Sequence, residues 1–269
     1  MASLRGKVAI VLGASASRGT GWAIAEALAA EGAKVVVGAR SLAPLQELAK
    51  KIGGVAVRCD ASIEEDIQTL VKTAVDQYGG LDIAVNSAGL PVMGPIAAAN
   101  RDALQAAVDT NYFGNVFFVR YSAAAMRDGG SITLITSASA TNVVEPHFAY
   151  ACAKAATDCL VKYAAVEYGP RGIRVNSILP GPILSDMTWD YYQNKQVQKQ
   201  FESETPLRRI GMPADFASAV VWMAQPGYLT GVNLQLNGGI YLNRFPRPDE
   251  TAVRPEDSGK PLFDRVKES

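Results

Sequence analysis

Short apolar runs of strand length, rich in β-branched residues, recur along this chain with helical segments between them. The runs cover residues 8–12, 35–37, 55–57, 81–85, 132–135, 173–178 and 232–236. The helical segments include residues 22–30, 63–78, 104–126 and 148–168. Strands that are apolar on both faces and alternate with helices indicate a parallel sheet covered on both sides. With right-handed crossovers, this pattern predicts an α/β fold with a single doubly wound parallel sheet, a Rossmann fold.

Composition narrows the classes of function that the chain supports. Its 269 residues are enough for one large domain with a substantial core. The formal net charge is zero and the basic residues are scattered, which argues against a nucleic-acid or anionic-membrane partner. No apolar stretch reaches the roughly 20 residues of a membrane span, and the N-terminal segment does not resemble a secretory signal. We therefore expect a cytoplasmic protein whose three cysteines are reduced core thiols.

Two regions depart from the alternation of strands and helices. Residues 186–210 are polar and aromatic, and they interrupt the pattern after a Pro-Gly-Pro sequence. Residues 241–269 are rich in proline and charge and too poor in apolar side chains to build a core. We predict one domain over residues 1–240, followed by a tail that is disordered or lies along a neighbouring surface.

One segment combines a strand, a serine and a helix. The strand delivers Ser137, and Tyr150 and Lys154 lie four apart on the Ala-rich helix that follows, so they share one face. A nearby ammonium favours the phenolate form of a tyrosine, which makes the phenol a tuned acid. Ser137, opposite the phenol, is placed to hold a carbonyl or carbinol oxygen. This arrangement suits proton transfer coupled to hydride transfer, whereas Tyr191 and Lys195, with the same spacing, are predicted to be a surface pair on a helix.

The predicted sheet places several candidate ligand-binding residues at the carboxyl ends of its strands. Ligands of such sheets bind beyond the carboxyl ends of the strands. The candidate residues that follow an apolar run are Gly13, Arg40, Asp60, Asn86, Ser137 and Pro180. We therefore expect these residues to lie along one edge.

A glycine-bearing turn joins the first predicted strand to an Ala-rich helix. Gly13, Gly19 and Gly21 allow the backbone to approach a pyrophosphate, whose charge the helix N-terminus favours. Their spacing differs from the G-x-G-x-x-G fingerprint, and an ordinary strand-to-helix turn is the alternative interpretation. The strand before the turn and the helix after it favour phosphate binding.

The end of the second predicted strand bears on the choice of cofactor. An NAD site usually places a carboxylate there for the ribose 2′-hydroxyl, but this chain has Ala39 followed by Arg40. Arg18 lies in the glycine turn and is placed to reach the same corner. Because guanidinium groups bind phosphate in a fork, we predict that NADP(H) is preferred over NAD(H). The alternative is that Arg40 is a solvated surface residue.

Together these motifs resemble the short-chain dehydrogenase/reductase family over about residues 5–239. The glycine turn is similar to that family's TGxxxGxG, with Leu12 in place of the threonine and two additional residues. The other matches are Asp60 with the aspartate that holds the adenine, Asn86-Ser87-Ala88-Gly89 with NNAG, Asn111 with the active-site asparagine, Ser137 thirteen residues before Tyr150, Pro180 to Ser185 with PGxIxT, and Leu236-Asn237-Gly238-Gly239 with VDGG.

The resemblance implies a role for each matching residue. Tyr150 would be the acid in reduction and the base in oxidation, its pKa lowered mainly by Lys154 and the cofactor's nicotinamide ring. Lys154 would also bind the nicotinamide ribose, Ser137 would orient the substrate oxygen, and Asn111 would hold a water in the proton relay. The implied cofactor-binding residues are Gly13, Ser15, Arg18, Gly19, Gly21, Arg40, Asp60, Ala61, Asn86, Ala88, Gly89, Tyr150, Lys154, Pro180, Gly181, and Ile183 and Ser185 on the carboxamide.

Residues 186–210 match the position of that family's substrate lid. Their aromatic side chains either close over an apolar ligand or pack the lid onto the body of the domain. The candidate substrate contacts are Met93, Ser139, His147, Trp189 and Tyr192. We expect the substrate to be a small alcohol or ketone, apolar or cyclic, and the protein to be a homotetramer that uses no metal.

The function predicted from the sequence is oxidoreduction between a secondary alcohol and a ketone. One alternative is a 3-oxoacyl-carrier-protein reductase. A second is an enoyl reductase of the same fold, although the four-residue spacing from Tyr150 to Lys154 argues against it. A third is a nucleotide-binding protein without catalysis, which the presence of the tyrosine, lysine and serine disfavours.

Overall fold

The structure is a computed structural model that describes residues 4–251. It contains a seven-stranded sheet in the order β3-β2-β1-β4-β5-β6-β7. The strands are β1 (Val8–Leu12), β2 (Lys34–Ala39), β3 (Val55–Arg58), β4 (Leu81–Asn86), β5 (Met126–Ile135), β6 (Arg174–Pro180) and β7 (Asn233–Leu236). All neighbouring pairs are parallel. The predicted doubly wound sheet is confirmed, with its carboxyl ends along one edge.

Helices cover both faces of the sheet. They are α1 (Thr20–Ala30), α2 (Leu42–Ile52), α3 (Glu64–Tyr78), α4 (Arg101–Val108), α5 (Gly114–Ala125), α6 (Phe148–Tyr168), α7 (Trp189–Gln193), α8 (Lys195–Glu204) and α9 (Pro213–Ala224). One core cluster contains side chains of α1, α2 and α9, and the other contains side chains of α3, α5 and α6. Strand β1 shows why its sequence is continuously apolar: Ala9 and Val11 belong to the first cluster, while Val8, Ile10 and Leu12 belong to the second.

The segment predicted as one helix over residues 104–126 is interrupted in the structure. α4 ends at Val108, Asp109–Phe113 forms a π turn, and α5 begins at Gly114. A Cβ on Gly114 would lie 2.1 Å from the carbonyl oxygen of Ala61, so α5 packs backbone to backbone against the loop after β3. π turns occur frequently at functional sites. The interruption went unpredicted because no proline marks it and the helical backbone continues through it.

Residues 186–210 form two short helices with an apolar cluster of their own. Tyr192 and Phe201 are buried in this cluster, with their rings edge to face at 5.4 Å. Tyr191 ends up on α7 and Lys195 begins α8, because Asn194 separates the helices and caps the second one. The prediction that Tyr191 and Lys195 pair on one helix is therefore wrong.

The first part of the predicted tail lies against these helices. Arg244 forms ion pairs with Glu204 at 2.8 Å and Glu250 at 2.6 Å. Asn243 Nδ2 donates to the Glu204 carbonyl oxygen at 2.7 Å, and Phe245 packs on the apolar cluster of residues 186–210. The rest of the predicted tail, 252–269, is outside the described residues.

The cysteines differ from the expectation. Cys59 is buried, but Cys152 and Cys159 are exposed. The last two are seven residues apart on α6, so they share its outward face. The prediction of core thiols is wrong for these two residues.

Between residues 4 and 251, the longest helices are too polar or too short to cross a bilayer.

Candidate active site

Ser137 and Tyr150 meet at the carboxyl edge of the sheet. Ser137 follows β5, and its Oγ accepts hydrogen bonds from the amide of Ser139 at 3.1 Å and the Ser139 hydroxyl at 2.9 Å. Tyr150, on the first turn of α6, lies close enough to Ser137 for that hydroxyl to lower its pKa. The structure thus brings together the two hydroxyls that the sequence predicted, and it places the predicted substrate contact Ser139 beside Ser137.

Lys154 lies one helical turn beyond Tyr150 and is almost completely buried. Its Nζ donates to the carbonyl oxygen of Ile135 at 2.9 Å and lies 5.5 Å from the centre of the Tyr150 ring. Burial lowers the pKa of Lys154 to about 8, against the opposing carboxylate of Asp158. A buried lysine with so low a pKa is typical of a functional site.

The pKa of Tyr150 lies above its ordinary value. Burial raises it to about 12, and Ser137 only partly opposes this rise. The protein's own side chains therefore keep the phenol protonated at neutral pH. The predicted lowering of the pKa involves the nicotinamide ring of the bound cofactor together with Lys154, so it stays a prediction for the complex.

Asn111 lies in the π turn and is fully buried. Its Oδ1 accepts from the amide of Leu90 at 3.2 Å, while Nδ2 donates to the carbonyls of Leu90 at 2.9 Å and Ala107 at 3.0 Å. A Cβ on Gly89 would lie 3.4 Å from Asn111 Oδ1 and 3.5 Å from Lys154 Nζ. Asn111 therefore fixes the loop after β4 beside Lys154, and its role with a water stays a prediction.

The glycine turn after β1 can accept only glycine at two positions. A Cβ on Gly13, whose φ is +87°, would lie 2.5 Å from the amide of Ala88, and one on Gly21 would lie 2.3 Å from the Gly13 carbonyl oxygen. α1 starts after Gly19 with no side-chain cap and no acidic residue in its first turn. Its first backbone N–H groups are therefore available to an anion, which fits a pyrophosphate. Ser15 lies half-buried in the same turn.

Arg40 follows β2 and is exposed. Its guanidinium makes no ion pair or hydrogen bond within residues 4–251. Ala39, just before it, is 7% exposed and brings no carboxylate to this corner. An unpaired guanidinium at the end of β2 fits the predicted 2′-phosphate.

Arg18 contacts Asp186 and Trp189, and not the predicted 2′-phosphate site. Its amide donates to Oδ2 of Asp186 at 3.0 Å and its Nε to Oδ1 at 2.5 Å. The guanidinium also lies 4.0 Å above the Trp189 ring. Burial raises the pKa of Asp186, but the hydrogen bonds from Arg18 outweigh it and hold the pKa below its usual value. Arg18 thus joins the glycine turn to the start of the predicted lid instead of turning towards Arg40.

The ends of β3 and β4 are shaped by side-chain hydrogen bonds. Asp60 Oδ1 accepts from the amide of Ser62 at 2.9 Å and its hydroxyl at 2.7 Å. Asn86 is buried; its Nδ2 donates to Asn115 Oδ1 at 2.9 Å and its Oδ1 accepts from the amide of Ala88 at 3.0 Å. The loops that are predicted to bind the adenine and the nicotinamide are thus held by side-chain hydrogen bonds.

The predicted carboxamide segment follows β6, which ends at Pro180. Ile183 pairs with Gly211, and the amide of Ser185 donates to Thr188 Oγ1 at 3.1 Å. Thr188 also donates to the carbonyl of Ile183. A Cβ on Gly181 would lie 2.8 Å from a neighbouring side chain, so the segment leaves β6 through a tight passage. No sequence motif identified Thr188 as part of this segment.

The candidate substrate contacts separate into two groups. His147 lies edge-on to Tyr150 at 6.4 Å, burial lowers its pKa, and its buried Nδ1 has no hydrogen-bond partner in the described part of the chain. Met93 is half-buried in the loop after β4. By contrast, Tyr192 is enclosed in the lid cluster and Trp189 lies beneath Arg18. For these two aromatics, the packing interpretation fits the structure better than contact with a substrate.

Two acidic residues beside the site were missed in the sequence. Asp158 lies four residues after Lys154, and the same i, i+4 rule that paired Tyr150 with Lys154 would have found it. Asp186 had no comparable signal, because its partner Arg18 is remote in the sequence.

Comparison with known proteins decides the family. A family model described as enoyl-(acyl carrier protein) reductase matches residues 13–241. A short-chain type dehydrogenase/reductase from Mycobacterium ulcerans, of known structure, is similar with a TM-score of 0.89 at 27% identity, over 97% of this chain and 98% of that one. The chain belongs to the short-chain dehydrogenase/reductase family.

Relatives within this dehydrogenase/reductase family carry different activities in their names. L-rhamnose 1-dehydrogenase (NAD(P)(+)) of Azotobacter vinelandii is 34% identical over 254 residues, 88% of this chain and 97% of that protein. A 3-oxoacyl-(acyl-carrier-protein) reductase of Vibrio cholerae is 35% identical over 249 residues, 89% of this chain and 99% of that protein. This short-chain dehydrogenase/reductase is therefore an oxidoreductase, of a family that uses a nicotinamide cofactor and small-molecule substrates.

Proposed function

We propose that this short-chain dehydrogenase/reductase interconverts a secondary alcohol and a ketone, with Tyr150 as the acid and base. The observation that carries the proposal is the placement of Tyr150 beside Ser137, with Lys154 buried one turn beyond. These side chains lie at the same sheet edge as the uncapped N-terminus of α1. A phenol beside a hydroxyl, next to an anion-binding turn, suits proton transfer to an oxygen while hydride reaches the adjacent carbon.

Each residue has a distinct part in this mechanism. When bound, the nicotinamide supplies or accepts the hydride. Ser137 orients the substrate oxygen, and Tyr150 gives that oxygen its proton in reduction and removes it in oxidation. The Lys154 ammonium stabilises the phenolate that reduction leaves and holds the nicotinamide ribose. Asn111 fixes the loop beside Lys154 and holds the water of the proton relay.

NADP(H) is the proposed cofactor. The support is the guanidinium of Arg40, which has no partner among residues 4–251 and lies beside Ala39, where a carboxylate would select NAD. Arg18 is held by Asp186, so Arg40 alone carries the proposed 2′-phosphate contact.

The proposed substrate is a small apolar or cyclic alcohol or ketone. His147 is the proposed polar contact, since its ring lies edge-on to Tyr150 at 6.4 Å. Localisation in the cytoplasm and assembly as a homotetramer remain predictions of the sequence.

A 3-oxoacyl-(acyl-carrier-protein) reductase is the second candidate, supported by the identity with the Vibrio cholerae enzyme. The description of the matched family model points to enoyl reduction. Tyr150 and Lys154 on adjacent turns favour carbonyl reduction over that reaction. A panel of 3-oxoacyl thioesters, enoyl thioesters and cyclic ketones would rank the three.

The first test is equilibrium binding of NADPH and NADH to the wild-type protein, Arg40→Ala and Lys34→Ala. Lys34 is an exposed cation at the opposite end of β2, so it is the matched control. We expect Arg40→Ala to weaken NADPH binding by about tenfold or more, with NADH and the control unchanged. An unchanged NADPH affinity would show that Arg40 is ordinary surface. Loss of turnover but not of NADPH binding in Tyr150→Phe then tests the chemistry.

A further inference from the structure

Asp158 is a buried carboxylate that the mechanism above does not use. It lies four residues after Lys154 on α6, so the two side chains share one face of the helix. Asp158 is 6% exposed and Lys154 is 2% exposed. They make no direct ion pair, because Lys154 Nζ donates to Ile135 and Asp158 Oδ1 accepts from the Ser177 hydroxyl at 2.9 Å. Asp158 Oδ2 is buried without a hydrogen-bond partner among residues 4–251.

The groups that face Asp158 are cations on its own helix and neutral polar groups on the strands. On α6 they are the buried Lys154 and the exposed Lys162. From the sheet they are Thr136 after β5, Ser177 on β6 and Asn233 on β7.

Lys154 has even fewer charged neighbours. Asp158 is the group whose charge raises the pKa of Lys154, against the lowering by burial. Tyr150 faces it with a neutral ring, and β5 presents the carbonyl of Ile135. A buried ammonium without a counter-charge lowers the stability of the folded protein, since burial favours the neutral amine.

We propose that Asp158 is a positioning residue whose carboxylate keeps the Lys154 ammonium charged inside the protein. The charged form is the one that stabilises the Tyr150 phenolate. Asp158 therefore sets the alkaline limit of the reaction without touching the substrate or the cofactor. The kinetic consequence rests on the proposed function, whereas the effect on the charge of Lys154 does not.

The direct test is an NMR titration of protein labelled with ¹³C at lysine Cε, with the Lys154 signal assigned by its loss in Lys154→Arg. In Asp158→Asn, which is neutral and similar in shape, we expect the midpoint of the Lys154 titration to fall by about one pH unit or more. Asp158→Glu keeps the charge and should restore most of that fall. Lys162→Gln removes the exposed cation that faces Asp158 and is the control with an unchanged midpoint. If Asp158→Asn does not fold, the smaller neutral variant Asp158→Ala carries the same prediction.

One competing arrangement would overturn the proposal. The Ser177 hydroxyl has one proton but two acceptors, Asp158 Oδ1 at 2.9 Å and Asn233 Oδ1 at 3.0 Å. A protonated Asp158 that donates to Ser177 would satisfy both. In that case the Lys154 titration would be the same in wild type and Asp158→Asn.

The pH dependence of kcat is an independent test of the proposal. If the proposal is correct, the alkaline limb of kcat moves to lower pH in Asp158→Asn by as much as the NMR midpoint does. An unmoved limb beside a shifted midpoint would contradict the mechanistic role. If no ketone or alcohol is turned over, the proposed function fails, while the NMR comparison still decides the charge of Lys154.

Discussion

Lys154→Met should make the folded protein more stable at neutral pH while abolishing its activity. Methionine has nearly the length of lysine and no charge, so it fills the same buried volume. The substitution removes an ammonium that the fold desolvates, together with its hydrogen bond to the Ile135 carbonyl. Active-site groups of this kind are kept at a cost in stability.

The magnitude follows from the pKa of Lys154, which burial lowers from 10.5 to about 8. Each unit corresponds to about 1.4 kcal/mol, so the charged form costs about 3 kcal/mol of folding free energy at pH 7. Because the folded-state pKa is the lower one, the unfolded chain binds more protons between about pH 8 and 10.5. The stability of the wild type should therefore rise with pH through that window. The advantage of Lys154→Met is fully present below pH 8 and disappears towards pH 10.5.

Urea unfolding at pH 7, 8, 9 and 10 measures this difference. Lys162→Met, an exposed lysine on the same helix, is the matched control and should stay within about 0.5 kcal/mol of wild type at each pH. About 3 kcal/mol is an upper value, since the variant also leaves Asp158 without its counter-charge. The reasoning is refuted if Lys154→Met is less stable than wild type at pH 7, or if its advantage does not shrink as the pH rises.

Two further predictions concern packing and the lid. Phe118 on α5 is fully buried in the core cluster of α3, α5 and α6, so Phe118→Ala should cost about 3–5 kcal/mol in urea unfolding; a loss below about 1 kcal/mol would mean that the site collapses around the cavity. Asp186→Asn removes the partly exposed ion pair with Arg18, so it should change stability by less than about 1 kcal/mol but speed hydrogen exchange of the amides in 186–193. Asp190→Asn, an exposed carboxylate on α7, is its control, and equal exchange in both variants would show that the pair does not hold the lid.

The sheet and the main candidate catalytic residues were predictable because their signals are local. Strands buried on both faces read as continuous apolar runs, and β1 was predicted at the bounds found in the structure. Tyr150 and Lys154 were predictable as a pair because helix geometry brings residues four apart together.

What the sequence did not predict depends on contacts between remote segments. Arg18 and Asp186 are 168 residues apart, so no pattern along the chain links them. The pKa of Tyr150 could not be predicted either, because the cost of burial depends on everything packed around the phenol. Tyr192 looked like a substrate contact because aromatic composition alone does not distinguish a side chain inside the lid from one facing the pocket.

Because of the π turn at Asp109–Phe113, the geometry of the site depends on the exact number of residues between α4 and α5. A π turn contains one more residue than an α turn, so deleting one residue here would restore regular α-helix. The helices on either side would keep nearly the same relative orientation, because the π turn accommodates its extra residue within one turn, but the backbone that carries Asn111 would be rebuilt. Asn111 would no longer face both Leu90 and the side of Lys154, although every side chain named in the mechanism would still be present in the chain. A single-residue deletion between positions 109 and 113 would therefore damage the site as a substitution of Asn111 would, whereas shortening a surface loop by one residue would not.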